Sequence, residues 1–584
     1  VTAFPALLLP LPVAIPLVLC AVILATAHIL PGRMPDILAI GAAVSVAILS
    51  AVIARHAAQG PIVYWFGGWE PKDGVYLGIG FSVDEASGWI AAFIGVLYAL
   101  TFVFAWGFFD RTHGHFHILM LLFLAAMVGF SFTRDMFNLF VWFEVMSVAA
   151  FALTAYHLAE SSLAGAINFT VVNSLAGFLM LGGIGLIYAQ AGTLDFEGIA
   201  AAVAHGGRDP VVAGAFCLVA AALMIKGAIV PFQFWLADAH AVAPSPVSVI
   251  FSGSMVSLGL FGLAKVSSVV FAGSDQVQQA LPILLIGLGS FTALLGGWMA
   301  LLQRHLKRML AFSTISHAGI MLAGIGALTA GGTGGMLVYV VGHGLVKGAL
   351  FMIAGILLAT QASIDEIALR GLGRGIWPAG IAMALAGLLL CGLPLGALDQ
   401  GTRLVQGALA QQGHGIALAA TAIGAALTGA AVLRAAGRIF LGLGPDPGDE
   451  AGAPSEDERE KANRPLWLML APCCALLALD VAIPAEVIAQ ALPRAAAAFM
   501  HRPDAGALAE GPAWLPWASV AAGLAGAGYG LFRNRLPKVV VRPVSATQSA
   551  PTRALEILHS GLIGDYAAWL AVGVAGIAAV LAMV

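Results

Sequence analysis

The chain has 584 residues, 60% of them hydrophobic and only 10% charged, with a formal net charge of -3 and a mean hydropathy of +0.95. So little charge over such a length excludes a soluble globular protein and indicates a polytopic membrane protein. Near-neutrality, with no block of basic residues mixed with aromatics, excludes nucleic acid as a partner.

Apolar stretches long enough to cross about 30 Å of hydrocarbon recur throughout, about sixteen in all. They centre near residues 16, 44, 96, 123, 146, 175, 222, 257, 290, 319, 347, 386, 427, 476, 522 and 572. The first lacks a basic leading segment and a small-residue cleavage site, so it is expected to be retained rather than removed. Between the second and third, Tyr64 to Ser87 carries Gly-Gly, Pro-Lys-Asp-Gly and an alternating Val-Tyr-Leu pattern, which predicts a short hairpin on the outer face. The fifth stretch contains Glu144 within FNLFVWFEVMSVAAFAL, and the seventh contains Lys226 within VVAGAFCLVAAALMIKGAIVPFQFW. The eleventh contains His343 and Lys347, one helical turn apart, and the tenth contains His317. An ammonium near the centre of a membrane helix costs roughly 3 kcal/mol, so such groups normally face a protein interior and serve ion traffic.

Two spans, the seventh and the twelfth, are interrupted by proline: KGAIVPF (Lys226 to Phe232) and LCGLPLGAL (Leu390 to Leu398). Their spacing predicts two successive five-helix units of opposite orientation, residues 111–272 and 278–441, with broken helices that expose backbone groups to an ion or to water. Helices 1–110 precede them. An acidic, Pro/Gly-rich loop, 442–464, then leads to a C-terminal extension, 465–584, whose segment from Arg533 to Tyr566 is expected to be a cytoplasmic docking surface.

If the spans alternate in direction, Arg33, Arg111, Arg304, Lys307, Arg308, Arg370, Arg374, Arg434, Arg438 and the basic residues from Arg459 to Lys461, Arg464 and Arg533 to Arg553 fall on one side. Arg55, Lys72, Arg134, Arg208, Arg403, Arg494 and Arg502 fall on the other. The positive-inside rule makes the first side cytoplasmic, with Arg304, Lys307 and Arg308 read as topology and headgroup contacts. Five cysteines (Cys20, Cys217, Cys391, Cys473, Cys474) form no C-x-x-C pair, which argues against a disulfide framework, zinc or an iron-sulfur cluster. No nucleotide-binding glycine motif is present, and no cofactor is expected.

The run KGAIVPFQFWLADAHAVAPSPVSVIFSGSMVSLGLFGLAKV (Lys226 to Val266), FNLFVWFEVMSV around Glu144, LKRMLAFSTISHAGIML (Leu306 to Leu322) and HGLVKGALFMIAG (His343 to Gly355) together resemble the antiporter-like subunits shared by respiratory complex I, Mrp-type multisubunit cation/proton antiporters and membrane-bound hydrogenases. The resemblance, to the D-like members of that group, spans roughly residues 60 to 440, while LHSGLIGDYAAWL (Leu558 to Leu570) resembles the end of the larger members. It implies an all-α bundle of about fourteen core helices with inverted repeats and broken helices 7 and 12, plus about two C-terminal helices. It further implies proton translocation, with exchange for sodium left open, beside sibling membrane subunits that would hold any redox chemistry, and with lipids around the chain.

Within that resemblance Glu144 and Lys226 form a pair whose separation changes as protons move, the alternative being a structural ion pair that locks two helices. The placement of His343 and Lys347 on one helical face, with His317 in the preceding span, suggests a proton relay, with helix packing the alternative for His317. A carboxylate and an ammonium in low dielectric can exchange partners, and losing the partner drives proton release. His240, ending WLADAH, either admits protons or caps a helix. Ser257 stands where members with full pathways have a lysine, and after the twelfth-span break only Asp399 or Arg403 is ionisable, as exit group. Lys265 matches a basic residue at the end of the eighth span and is no substitute. A non-conducting scaffold subunit and an independent secondary transporter remain open alternatives.

Overall fold

Backbone amides have no water to bond in hydrocarbon, so apolar runs of this length satisfy themselves as helices. In the computed structural model, which describes residues 6–26, 28–30, 32–72, 76, 78–109, 114–204, 208–444, 465–501, 508–536 and 563–584, each expected centre lies in a helix. The first six spans are α1 (Leu11–Thr26), α2 (Met34–Ala57), α3 (Glu85–Phe108), α4 (Gly114–Phe132), α5 (Met136–Thr154) and α6 (Glu160–Ala191). A short α7 (Phe196–Val203) leads to α8 (Pro210–Lys226) and α9 (Phe234–Val242). Next come α10 (Ser245–Val270), α11 (Asp275–Leu302), α12 (Leu306–Gly326) and α13 (Ala330–Gln361). After them lie α14 (Trp377–Cys391), α15 (Gly396–Gln411), α16 (Gly415–Leu441), α17 (Trp467–Ala482), α18 (Ala485–Phe499), α19 (Leu515–Phe532) and α20 (Ile563–Met583).

Among the described residues 13 helices are long and apolar enough to cross a membrane, or up to 14 if α17 and α18, bent by 75°, count as one span. Of the sixteen expected spans, the seventh and the fifteenth are missing from that number: α8 stops at Lys226, 17 residues long, and the 18-residue α19, rich in glycine, is not apolar enough. The protein is a multi-pass membrane protein. The acidic loop from 445 to 464 and the surface segment from 537 to 562 lie outside the described residues.

Helix starts are written in the loops. Asp84, Asp135, Asp195 and Asp209 each accept a backbone amide at the N-terminus of α3, α5, α7 and α8, pairing donors that a helix leaves free. Ile62–Trp65 pairs antiparallel with Gly80–Val83, Ile62 opposite Val83 and Trp65 opposite Gly80. The Arg134 guanidinium lies 4.6 Å above the Trp65 ring, tying this hairpin to the start of α5.

The central helices carry the charged side chains. The apolar windows of α10 and α12 are 100% buried and that of α13 is 94% buried, against 28% for the last helix, so polar residues on α10, α12 and α13 face protein and not lipid. Helix α10 contains two π turns, Phe251–Met255 and Val266–Val270, a distortion that recurs at functional sites. At the other extreme of the chain, Tyr566 stacks on Phe234 at 5.2 Å and donates to Asp238 at 2.9 Å, seating the last helix beside the seventh-span break.

Candidate functional site

Helix α8 ends at Lys226 because Gly227 and Ala228 (φ 51) carry the chain out of register. The Ala228 and Ile229 amides fold back onto the Ile225 and Met224 carbonyls at 3.0 Å, and the Val230 amide donates to Thr292 Oγ1 at 3.2 Å. Trp235 Nε1 donates to the Ile225 carbonyl at 3.0 Å. The interrupted backbone is thereby held open with its polar groups bonded, as buried irregular chain requires. Opposite, α10 comes so close that a Cβ on Gly259 would lie 2.7 Å from the Gly227 amide nitrogen.

Lys226 is fully buried. Its Nζ donates to Ser147 Oγ at 2.5 Å and sits 4.1 Å from the Phe143 ring centroid. Glu144, three residues before Ser147 on α5, is half-buried, and its Oε1 has no hydrogen-bond partner among the described residues. Among the described residues no ion pair joins Glu144 to Lys226, although each lies within coulombic reach of the other. The lysine therefore rests on a hydroxyl one turn from the carboxylate.

A second group lies on α12 and α13. Lys347, fully buried, donates to the Leu310 carbonyl at 2.9 Å. The same carbonyl accepts from Thr314 Oγ1 at 2.9 Å, and Thr314 meets Ser252 of α10 at 2.5 Å. His343, one turn before Lys347, has neither ring nitrogen bonded among the described residues, and its ring lies 5.2 Å from that of His317. His317 is satisfied at both nitrogens, by Tyr339 Oη at 2.6 Å and by Thr428 Oγ1 at 2.9 Å. The structure thus brings His317, His343 and Lys347 together, with Ser252 and Thr314 extending the polar seam toward α10.

His240 lies in the same interior, stacked on Phe351 at 4.6 Å, with both ring nitrogens unbonded among the described residues. It caps no helix by a side-chain bond, and it lies within coulombic reach of Lys347 and Lys307. Lys307 corrects an expectation: it is 1% exposed and donates to the Ala243 carbonyl at 3.0 Å, so it turns inward and does not contact headgroups. Ser257 is buried with its hydroxyl unbonded among the described residues. Lys265 stands apart from these groups, paired with Asp84 and 4.9 Å from the Phe499 ring centroid. Burial pushes the Asp84 carboxyl up, but the Lys265 ammonium and the Ser87 amide hold it below the usual carboxylate range. At the twelfth-span break Asp399 accepts from Arg403 Nε at 2.8 Å, and Arg403 Nη1 reaches Glu510 at 2.7 Å.

Ser147, Tyr339 and Thr428, which join these contacts, were not expected from the sequence, nor was Asp480, whose Oδ1 accepts from the Leu398 amide beside Asp399 at 3.1 Å. Asp480 alone carried a signal of the same kind as Glu144, an acid inside the apolar run WLMLAPCCALLALDVA.

The family described as NADH:quinone oxidoreductase/Mrp antiporter, TM, matches residues 133–428, a window from the residue before Arg134 to Thr428. An NADH-quinone oxidoreductase subunit N from Desulforudis audaxviator is 29% identical over 401 residues, 68% of this chain and 78% of that relative. A Staphylococcus aureus protein described as putative antiporter subunit mnhD2 is 30% identical over 373 residues, 63% of this chain and 72% of its own. Among solved structures, a chain of the Mrp complex from a Dietzia species superposes with a TM-score of 0.75 at 23% identity, covering 89% of this chain and 99% of that one. A chain of an archaeal membrane-bound sulfane sulfur reductase superposes with a TM-score of 0.74 at 21% identity, covering 88% and 99%.

Proposed function

Since this chain belongs to the NADH:quinone oxidoreductase/Mrp antiporter transmembrane family, we propose that it moves protons across the membrane as an antiporter-like subunit of a multisubunit complex. The observation that carries the reading is Lys226: a fully buried ammonium at a helix break, bonded to a neutral hydroxyl and within coulombic reach of a carboxylate it does not touch. A structural ion pair would hold the two charges together, because burying an ammonium against a lone hydroxyl forgoes most of the compensation that a carboxylate gives. A lysine with two alternative partners, Ser147 and Glu144, has the two states that a proton carrier needs.

From Lys226 the path runs through hydroxyls of α10 and α12 to Lys347, then His343 and His317. Buried polar atoms without a protein partner, as at His343 and His240, are where internal water bonds, and such water would join neighbouring groups. Asp399 and Arg403 follow as exit groups. Exchange of these protons for sodium is the further part of the proposal, supported by the antiporter relatives. Sibling membrane subunits are the partners, and any electron-driven step belongs to them.

Two five-helix units of opposite orientation, residues 111–272 and 278–441, are supported by a repeated detail. Arg134 pairs with Asp195, and Asp135 forms an isolated bridge to Asp195. Arg304 pairs with Asp365, and His305 forms an isolated bridge to Asp365. The sequence separation is the same in both sets, while the loop charges put the first set outside and the second inside.

The test is proton flux in vesicles holding the assembled complex, with wild-type chain or Lys226→Ala. Translocation predicts that flux falls to background with assembly intact. A scaffold subunit would leave flux unchanged.

A further inference from the structure

Where the twelfth span breaks, the backbone turns at Gly392 (φ +98) and again at Gly396 (φ +78), the first residue of α15. At Gly396 a side chain has no room: a Cβ would lie 2.5 Å from Asp480 Oδ2. Asp480 comes from α17, beyond the family-matched region, and is fully buried. Its Oδ1 accepts from the Leu398 amide at 3.1 Å, while Oδ2 has no hydrogen-bond partner among the described residues. Asp399, next in the chain to Leu398, is 2% exposed and also has one oxygen, Oδ1, without a partner. Two buried carboxylates thus lie within coulombic reach of one another at the N-terminus of one helix, each with one oxygen unbonded among the described residues.

The nearby positive charge does not balance them. Arg403 bonds Asp399 Oδ2 and is shared with Glu510, so Asp480 has only backbone amides and the helix end to offset its charge. A carboxylate removed from water without a cationic partner is strongly disfavoured, and like charges side by side favour keeping one group neutral. The place is also connected at both ends. The Leu398 amide packs on α13 at Gly342, where a Cβ would lie 2.2 Å from it, and Gly342 adjoins His343 in the chain. On the other flank Gln400, Arg403, Ala485, Ile488 and Glu510 line a cavity of about 330 Å³, on the side that the loop charges assign to the exterior.

We propose that Asp480 and Asp399 form the outer proton-holding site of this subunit, a buried carboxylate pair that carries one exchangeable proton between the histidines of the central seam and the Arg403–Glu510 cavity. The inference rests on the translocation reading above. A proton arriving from the His343 side forms an O–H bond on one of the free oxygens and neutralises that carboxylate. Its departure to water in the cavity breaks the bond and restores the anion, so nothing is oxidised or reduced. In this arrangement an acid from the C-terminal part of the chain joins Asp399 in completing the pathway.

The test separates proton carriage from helix capping. In Asp480→Asn the amide oxygen still accepts from the Leu398 amide, but the side chain cannot carry the proton. In the assembled complex we expect proton flux to fall by about tenfold or more with the thermal midpoint unchanged, and Asp480→Glu to recover part of it. The wild-type complex should show a protonated-carboxyl infrared band that shifts in D2O and is lost in Asp480→Asn or Asp399→Asn. If Asp480→Asn fails to assemble, the band in wild type and its loss in Asp399→Asn decide the matter. Wild-type flux in Asp480→Asn, or a wild-type complex without the band, overturns the proposal. Lys226→Ala is measured alongside. Flux that survives it overturns the translocation reading itself, whereas flux lost in Lys226→Ala and kept in Asp480→Asn overturns the carboxylate site alone.

Discussion

Ser147→Ala removes the one side-chain hydrogen bond that Lys226 makes among the described residues while leaving Glu144 in place. A hydrogen bond to a charged group contributes about 1.5–3 kcal/mol net, and each 1.4 kcal/mol or so is a factor of ten in an equilibrium. Removing the hydroxyl should therefore shift the lysine from its Ser147 position toward Glu144 by about 10- to 150-fold. If transport requires the ammonium to alternate between the two, the step that leaves Glu144 becomes limiting, and turnover falls by about tenfold or more. Ser147→Thr should retain most of the flux, since a threonine hydroxyl in a helix can make the same bond to the Phe143 carbonyl that Ser147 makes at 2.8 Å. The assay is proton uptake into vesicles carrying equal amounts of assembled complex. Flux in Ser147→Ala within about twofold of wild type would refute the idea that this hydroxyl is one of two working positions of the lysine.

Lys265→Ala strands Asp84, which is 2% exposed, and breaking one side of a buried pair costs about 3–5 kcal/mol; the thermal midpoint of the complex should drop, and Lys265→Met combined with Asp84→Asn should recover part of the loss. Burial pushes the Asp135 carboxyl, just outside the span it caps, from 3.8 up to about 6 in spite of the amides it accepts. The folded protein then holds that proton more tightly than the unfolded chain, so the contribution to stability is present below about pH 4 and lost as pH rises through 6. The stability of wild type relative to Asp135→Asn should fall by at most about 3 kcal/mol across that window and stay level above it; a difference that is flat from pH 4 to 7 would contradict the burial argument.

The bundle was legible because span length and internal charge are written directly in composition: hydrocarbon thickness sets the length of an apolar run, and an ion inside one is conspicuous. The break after Lys226 was visible for the same kind of reason, since proline removes a backbone donor. What the ions touch was not visible. Lys265 pairs with Asp84 across 181 positions of sequence, and His317 reaches Thr428 across 111; such pairings come from helix packing, which no local pattern encodes. Lys307 illustrates the limit. Its neighbours in sequence, Arg304 and Arg308, make it look like part of a headgroup cluster, yet the helical period turns it onto the inner face, where it bonds the Ala243 carbonyl. Asp480 shows the opposite case, a signal present in the sequence and hidden by its place near the end of a span beyond the matched region.

Lys347 gives the most direct test of the claim that buried ionisable groups carry the protons. Its ammonium is fully buried and, among the described residues, bonds a backbone carbonyl and no carboxylate, so a purely structural lysine here could be replaced by methionine at little cost, or even at a gain in stability. The measurement is proton flux and thermal midpoint of the assembled complex carrying Lys347→Met. Flux reduced to background with the midpoint unchanged or raised is the predicted result, and flux at the wild-type rate would contradict the account.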